Sequence, residues 1–210
     1  MNKVLTIVLG VIFLTTTVSA SFIDYFFDQL NLAYGVRVGG NFANMTSEID
    51  TDARLGTSVT GLVQYAFERY PQNHNVVSLI TGLGYSQKGA KRSMGTMKND
   101  YLTVPVQFNH TLPKAISGVT FDVFGGGYLG YLLSAKQGSE DVKSQTESLD
   151  FGVTAGIAVT YIIFEFNMIR LDVAYELGLA NQATSGEDSK NRLFTFGLSY
   201  KRGEMYKKGN

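Results

Sequence analysis

From Ile169 to Leu179 every odd position is apolar or aromatic, while the even positions hold Arg170, Asp172, Ala174, Glu176 and Gly178. A period of two that segregates charge from oil predicts a strand with different media on its two sides. The same alternation recurs, and it predicts eight strands at about 31–41, 53–68, 76–88, 100–111, 118–135, 148–162, 167–180 and 191–201. In the sixth, Phe151, Val153, Ala155, Ile157, Val159 and Tyr161 oppose Gly152, Thr154, Gly156, Ala158 and Thr160. In the last, Phe194, Phe196, Leu198 and Tyr200 oppose Leu193, Thr195, Gly197 and Ser199. Pro105 removes a ladder donor from the fourth strand, for which a bulge is the natural remedy. Gly125, Gly126 and Gly127 in the fifth imply a bend, a bulge or room for large neighbours.

The connections are of two kinds. Residues 44–52, 89–99, 137–147 and 181–190 are longer and polar, whereas 69–75 and 112–117 are shorter links between them. Asn167 is the expected turn between the sixth and seventh strands. An even number of strands returns both termini to one end, which in bacterial barrels is the periplasmic one.

Residues 1–20 read as a cleaved export signal: Lys3 supplies the positive start, Val4 to Leu14 the apolar stretch, and Val18-Ser19-Ala20 a small-residue cleavage site. No later apolar run matches the ~20 residues of a spanning helix. Residues 21–30 form an aromatic segment suited to a membrane interface, 31–202 the barrel, and 203–210 a polar tail. Leader and alternation together predict an all-β, eight-stranded antiparallel transmembrane β-barrel in the cell outer membrane, monomeric and surrounded by lipid.

A soluble sandwich or lipocalin-like binding protein would also alternate. Its wet face would carry Lys and Glu, whereas the polar faces of strands two and six carry Gly, Ala, Ser and Thr, side chains that a narrow eight-stranded lumen can hold. Twelve Tyr and 14 Phe with only 3 Pro suit pleated strands. With no Cys, thiol chemistry and Cys-based metal sites are excluded. A formal net charge of zero gives no basis for nucleic-acid binding.

With the odd faces toward lipid, Arg170, Asp172 and Glu176 point inward, joined by Arg37, Glu68 and Asp122 from other strands. Charges in so narrow an interior need partners, so a network of salt bridges is expected; a polar conduit is the functional alternative. His74 and His110 are the only histidines, and both fall at the supposed periplasmic ends. No nucleophile elbow or Glu-x-x-His arrangement accompanies them, so neither catalysis nor a metal site is indicated, and no cofactor is implied. The outer loops offer Glu48, Asp50 and Asp52 in one, Lys88, Lys91, Arg92 and Lys98 around the next, and Glu140, Asp141, Lys143 and Glu147 in the third. The basic residues are the candidate contacts for a partner or for anionic lipopolysaccharide.

Tyr34-Gly35-Val36-Arg37-Val38-Gly39-Gly40-Asn41-Phe42 resembles the first strand of the PorT-like outer-membrane β-barrels of the Bacteroidetes. Leu79 to Gly89, reading LITGLGYSQKG, followed by Tyr101-Leu102-Thr103-Val104-Pro105-Val106, resembles that family's GLxYxxKG and YLxxPV pairing, and Phe124-Gly125-Gly126-Gly127-Tyr128 is a further similarity. The resemblance implies the barrel and its location. The family's named member is required for protein export, which makes an accessory or docking role beside an envelope or secretion-system protein the leading expectation. A small pore and a lipid- or ligand-binding barrel remain the alternatives.

Overall fold

The computed structural model describes residues 31–46, 51–67, 76–92, 95–112, 118–164, 167–184 and 189–203. Within them the alternating segments form eight long strands: β1 (Leu32–Thr46), β2 (Arg54–Ala66), β3 (Val77–Lys88), β4 (Gly95–Thr111), β5 (Val119–Gln137), β6 (Leu149–Phe164), β7 (Asn167–Gly178) and β8 (Lys190–Arg202). Each pairs antiparallel with its neighbours in the chain. The last pairs with the first, from Tyr34 opposite Arg202 to Thr46 opposite Lys190, and the sheet closes. A closed barrel leaves no unpaired edge, the condition under which strands can cross hydrocarbon. The shortest of the eight has 12 residues, enough for the ~9–11 that a tilted crossing needs.

Both faces of this wall follow from the alternation. Leu55, Leu83, Ile157 and Leu171 are among the most exposed side chains, whereas Asn109, Thr160, Arg170 and Asp172 are buried. That polarity is the inverse of a soluble barrel. Aromatic side chains gather near both rims on the outer face: Tyr65, Phe67, Phe108, Tyr161 and Tyr200 toward the termini, and Phe42, Tyr131, Phe151, Tyr175 and Phe194 toward the long connections. Amphipathic rings favour the membrane interfaces in such girdles.

Several local expectations are corrected. Residues 95–99, expected in a loop, belong to β4, and Lys91–Arg92 pairs back on Gly95–Thr96. Glu140–Asp141 likewise folds onto Lys136–Gln137, through a turn with Gly138 at a positive φ of 62°. These segments stand beyond the apolar belt, where the outward face carries Lys98 and Lys136 in place of apolar side chains and the hydrophobic alternation fades although the ladder continues. Asn167 is not a turn residue: it opens β7, pairs with Phe164 and Arg202, and accepts a hydrogen bond of 2.6 Å from the Tyr200 hydroxyl.

Pro105 faces Tyr128 in unbroken register on the β5 side, and the β4–β5 irregularity lies instead between Asp100 and Tyr101. On the β3 side the ladder lapses between Thr81–Val106 and Gly84–Thr103, around the proline, and the Thr81 hydroxyl donates to the Pro105 carbonyl at 2.9 Å. The glycine run stays in register. At Gly126 a Cβ would meet the Val106 carbonyl oxygen at 2.1 Å, so close approach of β4 is what requires glycine there. The leader expected at 1–20, the aromatic segment 21–30, Glu48, Asp50, Glu68, His74, Met94 and the tail from 204 onward lie outside the described residues.

Candidate functional site in the lumen

Inward positions of the eight strands bring the chemistry of the chain into one interior, arranged in tiers. Nearest the long connections, Lys88 Nζ lies 3.0 Å from Asp150 Oδ2 and 3.5 Å from Glu176 Oε2, and 3.7 Å from the centre of the Tyr128 ring. Asp150 also accepts from Gln182 Nε2 at 3.1 Å, Asn191 Nδ2 at 3.0 Å and the Tyr128 hydroxyl at 3.4 Å. The Tyr101 hydroxyl donates to Gln182. Such convergence of donors is what a buried carboxylate needs in low dielectric.

In the middle tier, Arg37 and Asp172 form a two-pronged pair, with Nη2 to Oδ2 at 2.6 Å and Nε to Oδ1 at 3.1 Å. Arg37 Nη2 donates also to Thr195 Oγ1 at 3.3 Å. Asn41 bridges Ser86 at 3.1 Å and Ser58 at 3.3 Å. Toward the termini, Arg170 Nη1 donates to Asn109 Oδ1 at 2.8 Å and to Asp122 Oδ2 at 3.2 Å. Asp122 is held further by the Thr111 hydroxyl at 2.6 Å and the Thr160 hydroxyl at 2.8 Å. Lys201 Nζ donates to Gln64 Oε1 at 2.6 Å, and Gln64 Nε2 to Ser78 Oγ at 2.8 Å.

Apolar clusters stand beyond these tiers. Ala33, Ala66, Val76 and Met168 pack together at the end of the termini, and Tyr101, Leu132, Ala135 and Val142 at the other, with Met45, Ala90 and Met97 as a third group. A cavity between the tiers, lined by Arg37, Asn41, Asp172, Glu176, Ser199 and Lys201 among others, measures about 70 Å³. A water occupies about 30 Å³ of liquid, so a few water-sized particles are the capacity of this cavity. Among the described residues no group of three or more His, Cys, Asp or Glu could hold a metal ion.

The structure brings Arg37 together with Asp172, Arg170 with Asp122, and Glu176 with Lys88. Lys88 was expected at a loop contact and is instead 0% exposed. It prolongs the inward face of Gly82, Gly84 and Ser86 at the last position of β3, so its ammonium turns into the lumen. Lys91 and Lys98 are exposed at the rim. The backbone of Lys91 bridges Asp52, that of Arg92 pairs with Gly95, and Lys98 lies directly opposite Lys136. A second bridge, Thr146 with Ala183, ties the third and fourth connections together. Sequence reasoning missed Asp150 and Lys201. Both were detectable, since Asp150 shares parity with Gly152 and Thr154, and Lys201 with Gly197 and Ser199.

A closed barrel, apolar outside and lined inside by charged and polar side chains, is the architecture of a β-barrel of the outer membrane. The chain belongs to the outer membrane protein beta-barrel domain family, whose pattern matches residues 27–183. The match does not single out the PorT-like group. No curated protein matches the sequence. Among solved structures, the chain is similar to outer membrane protein OprG from Pseudomonas aeruginosa, with a TM-score of 0.47 and 12% identity over 82% of this chain and 95% of that one. Neisserial surface protein A gives a TM-score of 0.49 and 15% identity over 80% and 97%. The attachment invasion locus protein Ail of Yersinia pestis gives 0.42 and 13% over 80% and 97%.

Proposed function

We propose that the protein is a non-conducting, monomeric membrane scaffold whose long connections dock a protein partner in export or envelope organisation. The observation that carries this reading is the lumen itself. Ion pairs link β3 to β6, β1 to β7 and β5 to β7, apolar clusters lie beyond them, and the cavity among the pairs measures about 70 Å³. A solute path would require several buried pairs to separate together, each strongly opposed once desolvated. Work at the surface is what remains, and the bridges Asp52–Lys91 and Thr146–Ala183 give the rim a defined shape on which a partner can dock. The export setting rests on the PorT-like resemblance of β1, the β3–β4 pair and the glycine run.

Planar-bilayer recording of the purified barrel tests the scaffold reading, with no reproducible conductance expected; regular steps would establish a pore instead. Crosslinking in intact cells is expected to capture one dominant envelope protein through the connections. Gene deletion, with secreted-protein levels and membrane integrity measured separately, tests the setting. Normal secretion with a disturbed envelope rejects the export role.

Lipid binding is a second reading, favoured by one feature. Lys98 and Lys136 face each other on the outer side of the β4–β5 pair, near the exposed Tyr131 and Leu133. Like charges directly opposite repel, and an anionic headgroup at that height would relieve them.

A further inference from the structure

Gln182 follows the end of β7 at Gly178, in the connection to β8, yet it is 1% exposed. Its Oε1 accepts from the Tyr101 hydroxyl on β4, and its Nε2 donates to Asp150 Oδ1 on β6 at 3.1 Å. In the closed ring of eight, β4 stands diametrically opposite β8, so the contact with Tyr101 crosses the outer mouth instead of following its rim. Burying an amide is costly unless both of its ends are paired, and here both are. The backbone around it is fixed as well. The Phe151 carbonyl accepts from the N–H groups of Leu179 and Ala180 at 2.8 and 3.3 Å, and Gln182 N donates to the Ser189 carbonyl at 2.7 Å.

The preceding long connection is joined to the same layer. Glu147 N donates to the Gln182 carbonyl at 3.0 Å, Thr184 N to the Gln145 carbonyl at 3.3 Å, and Thr146 bridges Ala183. Val142, from that connection, packs on the Tyr101 ring with Leu132 and Ala135. One connection therefore covers the ring of Tyr101 while the other takes its hydroxyl. We propose that residues 142–147 and 179–184 form a single lid that shuts the outer mouth, with Gln182 as the latch that fastens it to Tyr101 and Asp150. Shut, the lid keeps water from the tier of Lys88, Asp150 and Glu176. Released, it leaves the Tyr101 hydroxyl and Asp150 to water while the ladders of the wall stay paired, so the two states differ by few contacts. The lid stands whether or not the rim docks a partner.

Hydroxyl-radical footprinting and amide hydrogen exchange of the full barrel in lipid nanodiscs test the proposal. In the parent protein Tyr101 should stay close to unoxidised. Gln182→Ala, which removes the latch and no charge, should raise Tyr101 oxidation and speed exchange of the Glu147 and Thr184 amides about tenfold, with Phe124 in the middle of the lumen and the strand amides at parental levels. Tyr101→Phe removes one arm of the latch and should speed the same amides about threefold. Strong oxidation of Tyr101 in the parent protein, or parental exchange at Glu147 and Thr184 in both variants, overturns the proposal. Faster exchange that reaches the β6 and β7 amides in both variants overturns it too, because the contact would then hold the wall and not a lid.

Discussion

Lys88 and Lys201 are both buried and inward-facing, near opposite ends of the same lumen, yet their surroundings differ in kind. Lys88 has two carboxylates, Asp150 and Glu176, and the face of Tyr128. Lys201 has the amide of Gln64. The tier near the long connections therefore holds its lysine between two acids, whereas the tier near the termini pairs its arginine with an acid and leaves its lysine on an amide. Burial of a cation in a barrel says little about its energetic role until its counter-charge is found.

The largest effect that would sharpen this contrast is expected at Lys88. Lys88→Met strands Asp150 in a buried position and should cost about 3–5 kcal/mol, read as a lowered urea midpoint in vesicles. A double variant, Lys88→Met with Asp150→Leu, should recover much of that loss, because both charges leave together. If Lys88→Met unfolds at the parent midpoint, the tier is not held by this pair.

Adjacent positions on β7 extend the comparison across the wall. Arg170 is 4% exposed and Leu171 is 59% exposed. Leu171→Arg places a second guanidinium on the lipid side and should cost about 2–4 kcal/mol near the bilayer midplane. Equal tolerance of Arg at 171 would contradict a lipid-facing outer wall. A smaller effect is expected within the glycine run. Gly126→Ala drives a Cβ onto the Val106 carbonyl and should cost about 1–3 kcal/mol. Gly125→Ala, whose nearest neighbour would be 3.6 Å away, should stay within about 0.5 kcal/mol of the parent. A small effect is also expected at the other lysine: Lys201→Met strands no carboxylate and should move stability by less than about 1 kcal/mol. A loss as large as that of Lys88→Met would erase the distinction between the two tiers.

Much of the wall was legible in the chain because, outside bulges, side chains of a strand alternate between its two faces. Once Leu171 faced outward, Arg170 and Asp172 had to face inward, and the same parity placed Arg37 and Asp122. Legibility failed beyond the apolar belt: at residues 95–99 the outward face carries Lys98 and the buried inward face mixes Met97 with Asn99, so the ladder continues without a hydrophobic period. It failed again at Lys88, where charge at the edge of a polar run suggested solvent although parity with Ser86 pointed inside.

Strand number, the two faces and the inward set of charges were thus determined by the sequence, since they depend on neighbours one and two residues apart. Which charges meet was decided by the closed structure. Arg37 and Asp172 are 135 residues apart and Lys88 and Asp150 are 62 apart, and their contact depends on register and on the curvature that brings distant strands across one lumen. The same geometry left Lys201 beside an amide rather than an acid, because pairing across a barrel follows the tilt and stagger of its strands, which no local period encodes.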